Sequence, residues 1–124
     1  MHTEFLESVL CALSSVRCGA ADTEESLHAQ VARALLQAGI EAEHEARLAP
    51  RCRIDFLAGN VGIEIKKKRP ERAKLLAQLT RYAACEQIQA LIVVAPRGVD
   101  LPRRIGAKPV LLLALERLWG ISLP

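Results

Sequence analysis

Aromatic side chains are scarce: two Phe, one Tyr and one Trp make up 3% of the 124 residues. A core of this size must therefore come from Leu, Ile, Val and Ala, and there is no row of rings on which unpaired bases could stack, which argues against a sequence-tolerant single-strand platform. The four cysteines, Cys11, Cys18, Cys52 and Cys85, contain no Cys-x-x-Cys pair and no histidine at zinc spacing, so neither a metal finger nor a redox motif is indicated. Small buried thiols are expected instead. The first residues carry no basic segment followed by an apolar run, and no stretch approaches membrane-spanning length, so a reduced, cytoplasmic protein is expected. No internal repeat, linker or low-complexity tract interrupts the chain.

What is present is an ordinary globular composition, 51% hydrophobic and 25% charged, in a length suited to one domain. The net charge of +3 is mild, but it is unevenly spread. Lys66, Lys67, Lys68 and Arg69, followed by Arg72 and Lys74, concentrate positive charge where phosphates could be held through counterion release.

The centre of the chain is the stretch from Arg53 to Lys66. Two runs rich in β-branched and aliphatic residues flank Gly59-Asn60, a pair that favours a two-residue hairpin turn. With that turn, Ala58 faces Val61, Leu57 faces Gly62, Phe56 faces Ile63 and Asp55 faces Glu64. Alternation puts Asp55, Glu64 and Lys66 on one face and Ile54, Phe56, Ile63 and Ile65 on the other. Opposed residues have Cβ atoms roughly 4.5–5.5 Å apart, where two carboxylates destabilise each other unless a cation lies between them. Hard carboxylate oxygens suit Mg2+, with Mn2+ as a substitute, and a cation there with a lysine beside it suits phosphodiester hydrolysis.

Before the hairpin, Phe5, Leu6, Val9, Leu10, Leu13 and Val16 predict an amphipathic helix over residues 3–17 with Gly19 as its C-cap. A second helix is predicted from about Thr23 to Ala38, with Asp22 and Glu25 as a capping box. Glu24 shares a face with Leu27, Val31 and Leu35, an acid at the end of a buried stripe. If Thr23 is the cap instead, Glu24 and Glu25 exchange plausibility. Residues 42–49 predict a strand with Ala42, His44, Ala46 and Leu48 on one side; His44 and His28 read as ordinary surface or satisfied interior histidines.

After the hairpin, Pro70 suits the first turn of a helix that runs through Ala84, with Leu75, Leu76, Leu79 and Ala83 as its apolar stripe and Lys74, Gln78 and Tyr82 on an adjoining face. Ala90–Ala95 reads as a strand buried on both sides, joined to the hairpin by a crossover that makes it parallel. A loop over residues 97–108 with at most one helical turn, a strand over 110–115 and a closing segment containing Trp119, Ile121 and Leu123 complete the pattern.

Asp55, eight residues, Glu64, one residue and Lys66 on a hairpin, preceded by Glu24 and followed by Gln78-x-x-x-Tyr82, resembles the PD-(D/E)XK nuclease superfamily, particularly its RecB-like and Holliday-junction-resolvase-like members. Ile54 stands where that pattern usually has Pro. The resemblance covers residues 22–96. It implies an α/β, restriction-endonuclease-like core (αβββαβ) with a mixed sheet flanked by helices, here extended by an N-terminal helix (3–17) and a C-terminal segment (97–124) in a single domain, 1–124. It further implies a Mg2+-dependent deoxyribonuclease in which Asp55, Glu64 and the carbonyl of Ile65 bind metal. Lys66 positions or activates water, Glu24 completes the catalytic set, and Gln78 and Tyr82 orient DNA or support the catalytic cluster. Lys67, Lys68, Arg69 and Lys74 are the expected DNA-backbone contacts, and a homodimer would let two sites act on two strands. A nuclease-like module that binds nucleic acid or a protein without hydrolysis is the alternative.

Overall fold

The computed structural model describes residues 3–116, so the closing segment with Trp119, Ile121 and Leu123 lies outside the described residues. Three helices and six strands follow in the order α1 (Thr3–Leu13), α2 (Glu24–Gln37), β1 (Glu43–Ala49), β2 (Cys52–Ala58), β3 (Val61–Ile65), α3 (Arg72–Ala83), β4 (Ala90–Ala95), β5 (Arg104–Ile105) and β6 (Lys108–Ala114). The fold is α/β with an open, mixed, six-stranded sheet in the order β1-β2-β3-β4-β6-β5. β1, β2 and β3 are antiparallel neighbours, β3, β4 and β6 run parallel, and β5 returns antiparallel on β6. No described helix is long and apolar enough to cross a membrane.

Each sheet face has its own core. α1 and α2 bury Leu6, Val9, Leu13, Leu27, Val31 and Leu35 against Phe56, Val61, Ile63, Ile65 and Ile92. α3 buries Leu75, Leu79, Tyr82 and Ala83 on the opposite face, against Ala46, Ile54, Leu91 and Val93. β4 is buried along its whole length, as a parallel strand covered on both faces must be.

Three of the four expected hairpin pairs form, Ala58 with Val61, Leu57 with Gly62 and Phe56 with Ile63, whereas the expected Asp55–Glu64 pair is not part of the ladder. Gly59 carries the turn at φ 58°, left-handed backbone that a residue without Cβ adopts freely. Gly62 serves packing instead, since a Cβ there would stand 2.5 Å from Ile54 Cδ1 and 2.7 Å from Ile88 Cδ1.

Several expected boundaries shift. α1 stops at Leu13, six residues before Gly19, which therefore is not its C-cap. α2 is capped by Thr23, whose hydroxyl accepts from Ser26 N while Ser26 Oγ accepts from Thr23 N; Asp22 instead binds Gly19 N and Ser26 Oγ, so the Asp22–Glu25 capping box does not form. Pro70 lies outside α3, whose N-cap is Glu71. The 97–108 loop holds the two-residue β5 rather than a helical turn, and the last described strand begins at Lys108.

One correction bears on the site. Ile54 was expected on the face of Phe56, and His44 on that of Ala46 and Leu48. Phe56 and His44 stack at 4.6 Å on the α2 side, whereas Ala46, Leu48 and Ile54 pack with α3. The reason is Glu45, held at φ 54°: left-handed backbone in mid-strand breaks the two-residue alternation, and the ladder passes from His44–Phe56 to Ala46–Ile54 around Glu45 and Asp55. Asp55 therefore sits where the ribbon changes face.

Candidate active site

Strands β2 and β3 stop pairing main chain to main chain just before the two acids, the last rung being Phe56–Ile63. There the Asp55 carboxylate takes over, Oδ2 accepting from Ile65 N at 2.7 Å. β3 continues on its other side, with Lys66 N donating to Val94 O at 2.7 Å, so Glu64, Ile65 and Lys66 are anchored from both neighbours.

Glu64 is the one charged residue buried among the described residues, at 5% exposure. Its carboxylate closes a ring of four side chains. Oε1 accepts from Tyr82 Oη at 2.9 Å, Tyr82 Oη accepts from Gln78 Nε2 at 2.9 Å, Gln78 Oε1 accepts from Lys66 Nζ at 3.0 Å, and Lys66 Nζ lies 3.2 Å from Glu64 Oε2. The amide orientation of Gln78 follows from this ring, because lysine offers donors alone. Tyr82 Oη also stands 3.0 Å from Arg53 O, a second acceptor for its single proton. α3 presents these groups because Gln78 and Tyr82 are one helical turn apart.

Burial and the neighbouring Asp55 carboxylate push the Glu64 carboxyl above the usual range, against the pull of Lys66 and Tyr82. Asp55 is raised chiefly by burial, with Glu24 adding to it, while the Ile65 N–H, His28 and Lys66 oppose the rise. Tyr82 is held protonated by burial and the Glu64 charge beside it. The two carboxylates thus sit close, partly desolvated and under-compensated, a state that a further cation relieves.

Asp55 and Glu64 together offer two carboxylates, the number through which Mg2+ is usually held. Both Glu64 oxygens already have partners in Tyr82 and Lys66, and among the described residues no group of three or more His, Cys, Asp and Glu side chains is set to hold a metal.

The other expected residues gather around this point. A cavity of about 730 Å³ is lined by Glu24, Ile65, Lys66, Gln78 and the basic run Lys67, Lys68, Arg69 and Lys74. Lys74 also reaches Glu71 at 3.7 Å on an exposed surface, an ion pair of little energetic weight. Glu24 reaches His28 at 3.7 Å and acts on the Asp55 charge, whereas Glu25 joins only a second cavity of about 510 Å³ on the other side of Asp55. Between the two acids, Glu24 is the better placed. Tyr82 is 2% exposed and gives its hydroxyl to the Glu64 carboxylate, a contact that fits the second of its two expected roles, support of the acidic cluster.

Sequence reasoning missed the histidines. His28 Nδ1 lies 2.9 Å from His44 Nε2, and both rings pack on Phe56. His28 Nε2 is buried, has no hydrogen-bond partner, and stands 3.8 Å from Asp55 Oδ1. The available signal was the four-residue spacing from Glu24 to His28, which places both on one helix face; His44 was misread because alternation along β1 was assumed to be unbroken.

The chain matches no family model, no curated protein and no solved structure.

Proposed function

We propose that the chain is a divalent-metal-dependent nuclease of PD-(D/E)XK type that hydrolyses DNA phosphodiester bonds on a restriction-endonuclease-like core. The observation that carries this reading is the junction at which β2 and β3 part, where Asp55 and the buried Glu64 repel each other and Lys66, 3.2 Å from Glu64, lines a basic cavity.

In this reading Asp55, Glu64 and the Ile65 carbonyl would hold Mg2+ or Mn2+, whose charge would stabilise the negative charge that builds on phosphorus. Lys66 Nζ positions the attacking water and neutralises a phosphoryl oxygen. Water forms the new P–O bond and releases a proton to solvent, one ester P–O bond breaks, and the leaving oxygen takes up a proton from solvent. Gln78 orients Lys66, and Tyr82 holds Glu64 in the geometry that faces Asp55. Glu24 binds further water, and Lys67, Lys68, Arg69 and Lys74 hold the DNA backbone. A second copy would supply a site for the other strand.

The competing reading is a module that binds nucleic acid or protein without hydrolysis. It is favoured by the direct Lys66–Glu64 contact, which already compensates one carboxylate.

Labelled linear duplex, single-stranded and four-way-junction DNA incubated with Mg2+, Mn2+ or EDTA separates the two. Metal-dependent cutting by the wild-type chain, lost in both Asp55→Ala and Lys66→Ala, supports the nuclease. Binding without cutting of any substrate supports the module.

A further inference from the structure

A second basic surface lies beyond the candidate active site, at the end of the β1–β2 ribbon. A cavity of about 380 Å³ there is lined by Arg47, Arg51, Arg53 and Arg81, with Gln78 and Tyr82 at its inner side and no carboxylate in its lining. It shares Gln78 and Arg81 with the larger cavity that holds Lys66 and the lysine run. The two are therefore neighbours along α3. From Lys74 to Arg81 the helix advances seven residues, roughly 10 Å at 1.5 Å per residue.

Two features of this arginine group are unfavourable without an anion. Arg47 and Arg53 are direct cross-strand partners, both exposed, and like charges in that relation destabilise a ribbon. Arg53 has one ion-pair partner, Glu45 at 3.9 Å, with both side chains more than half exposed, which compensates little. Arg51 occupies the β1–β2 turn at φ 60°, left-handed backbone that a residue with a Cβ adopts at a cost and that glycine would adopt freely. An arginine in a glycine's conformation, next to two arginines in register, suits a surface that meets negative charge.

We propose that Arg47, Arg51, Arg53 and Arg81 form a second phosphate-binding subsite that grips the nucleic-acid backbone next to the phosphate at Asp55 and Glu64. This rests on the nucleic-acid reading of the site and narrows its substrate to polynucleotides that extend over α3, rather than mononucleotides or terminal phosphates. Arginine is suited to the task, since its planar fork meets phosphate oxygens two at a time.

The test is fluorescence anisotropy of a fluorescein-labelled 20-base-pair DNA duplex in EDTA, titrated between 50 and 300 mM salt. It compares the wild-type chain, Arg47→Gln/Arg51→Gly/Arg53→Gln, and Arg97→Gln/Arg103→Gln/Arg104→Gln, which removes equal charge near the opposite sheet edge. Because each phosphate neutralised contributes about 0.9 to the slope of log K against log salt, the ribbon variant should lose roughly 2–3 in slope and at least tenfold in affinity at 100 mM salt. The control should lose less than 1 in slope. An unchanged slope in the ribbon variant, or an equal fall in the control, overturns the subsite. If the ribbon variant fails to fold, Arg51→Gly alone, which relaxes the turn, should lose about 1 in slope, and no loss overturns the proposal equally. A wild-type chain that binds no DNA at any salt overturns both the subsite and the nuclease reading, whereas binding without cleavage leaves the subsite standing and removes only hydrolysis.

Discussion

Tyr82 Oη stands 2.9 Å from Glu64 Oε1, so the one charged side chain buried among the described residues is held by a phenol from the helix on the sheet's far side. The bond ties α3 to β3 across a core that is otherwise apolar. Tyr82→Phe removes it without removing the ring, and leaves Gln78 Nε2 without its acceptor as well. A lost hydrogen bond to a buried charge costs about 1–3 kcal/mol. Urea unfolding should show a lowered midpoint with an unchanged slope, since the buried surface stays the same.

Asp55 and Glu64 both have carboxyls raised by burial and by nearby carboxylates. A raised acid binds protons more tightly folded than unfolded, so its stabilising contribution is complete below the unfolded pKa and is lost as pH rises through the folded one. With the ordinary carboxyl values of 3.8 and 4.5 as the unfolded reference, stability conferred by these groups falls as pH climbs from about 4 into the raised folded range. Asp55→Asn keeps an oxygen for Ile65 N–H and removes the repulsion. Its melting temperature at pH 7.5 should exceed that of the wild type by a few degrees, and its melting temperature should fall less between pH 5 and 7.5. Mg2+ or Mn2+ should raise the melting temperature of the wild type by mass action and leave Asp55→Asn unchanged; an equal metal response in both would remove Asp55 from the metal site.

Gly62 faces the α3 side of the sheet, where an added methyl would meet Ile54 Cδ1 at 2.5 Å, Ile88 Cδ1 at 2.7 Å and Leu91 Cδ2 at 3.0 Å. All three side chains are fully buried, so relief must come from repacking rather than from swinging into water. Gly62→Ala should destabilise by about 1–3 kcal/mol, measurable by thermal or chemical melting. Because Glu64 is two residues on along the same strand face, the variant should also lower any metal-dependent activity more than its loss of stability accounts for.

Local pattern made much of this architecture legible, and the failures cluster at one place. The Gly59-Asn60 turn fixes the hairpin register, which brings Asp55 and Glu64 to one end of it, and the Gln78–Tyr82 spacing puts both side chains on the flank of α3 that faces them. These are short-range relations, and two-residue and one-turn periodicities carry them. The histidine pair was not legible, because it depends on Glu45 taking a left-handed conformation that nothing in Glu-His-Glu-Ala demands. A glutamate at φ 54° is held there by its tertiary surroundings, and the resulting face change decides which residues meet α2. The cap of α2 is Thr23, the alternative to Asp22, and its box partner was not legible for a smaller reason: Ser26 fills the role that glutamate usually takes.

Lys66 and Gln78 differ in what their removal leaves behind, which separates a group acting on the substrate from one that orients it. Lys66 Nζ sits between Glu64 Oε2 and Gln78 Oε1, at 3.2 and 3.0 Å. Lys66→Met retains the aliphatic stem but takes away the one lysine ammonium that, among the described residues, meets this carboxylate pair, so cleavage should fall by at least about 10²-fold, the scale expected when one preorganised charge is lost from the transition state. Gln78→Ala leaves Lys66 in place with one partner fewer, and a fall of roughly tenfold, about 1.4 kcal/mol in the barrier, is expected. Single-turnover cleavage with enzyme in excess reads both. If Gln78→Ala is as damaging as Lys66→Met, the amide touches the reacting groups itself; if Lys66→Met retains near wild-type cleavage, the lysine is a structural counter-ion for Glu64 and the hydrolytic role passes to other groups around Asp55.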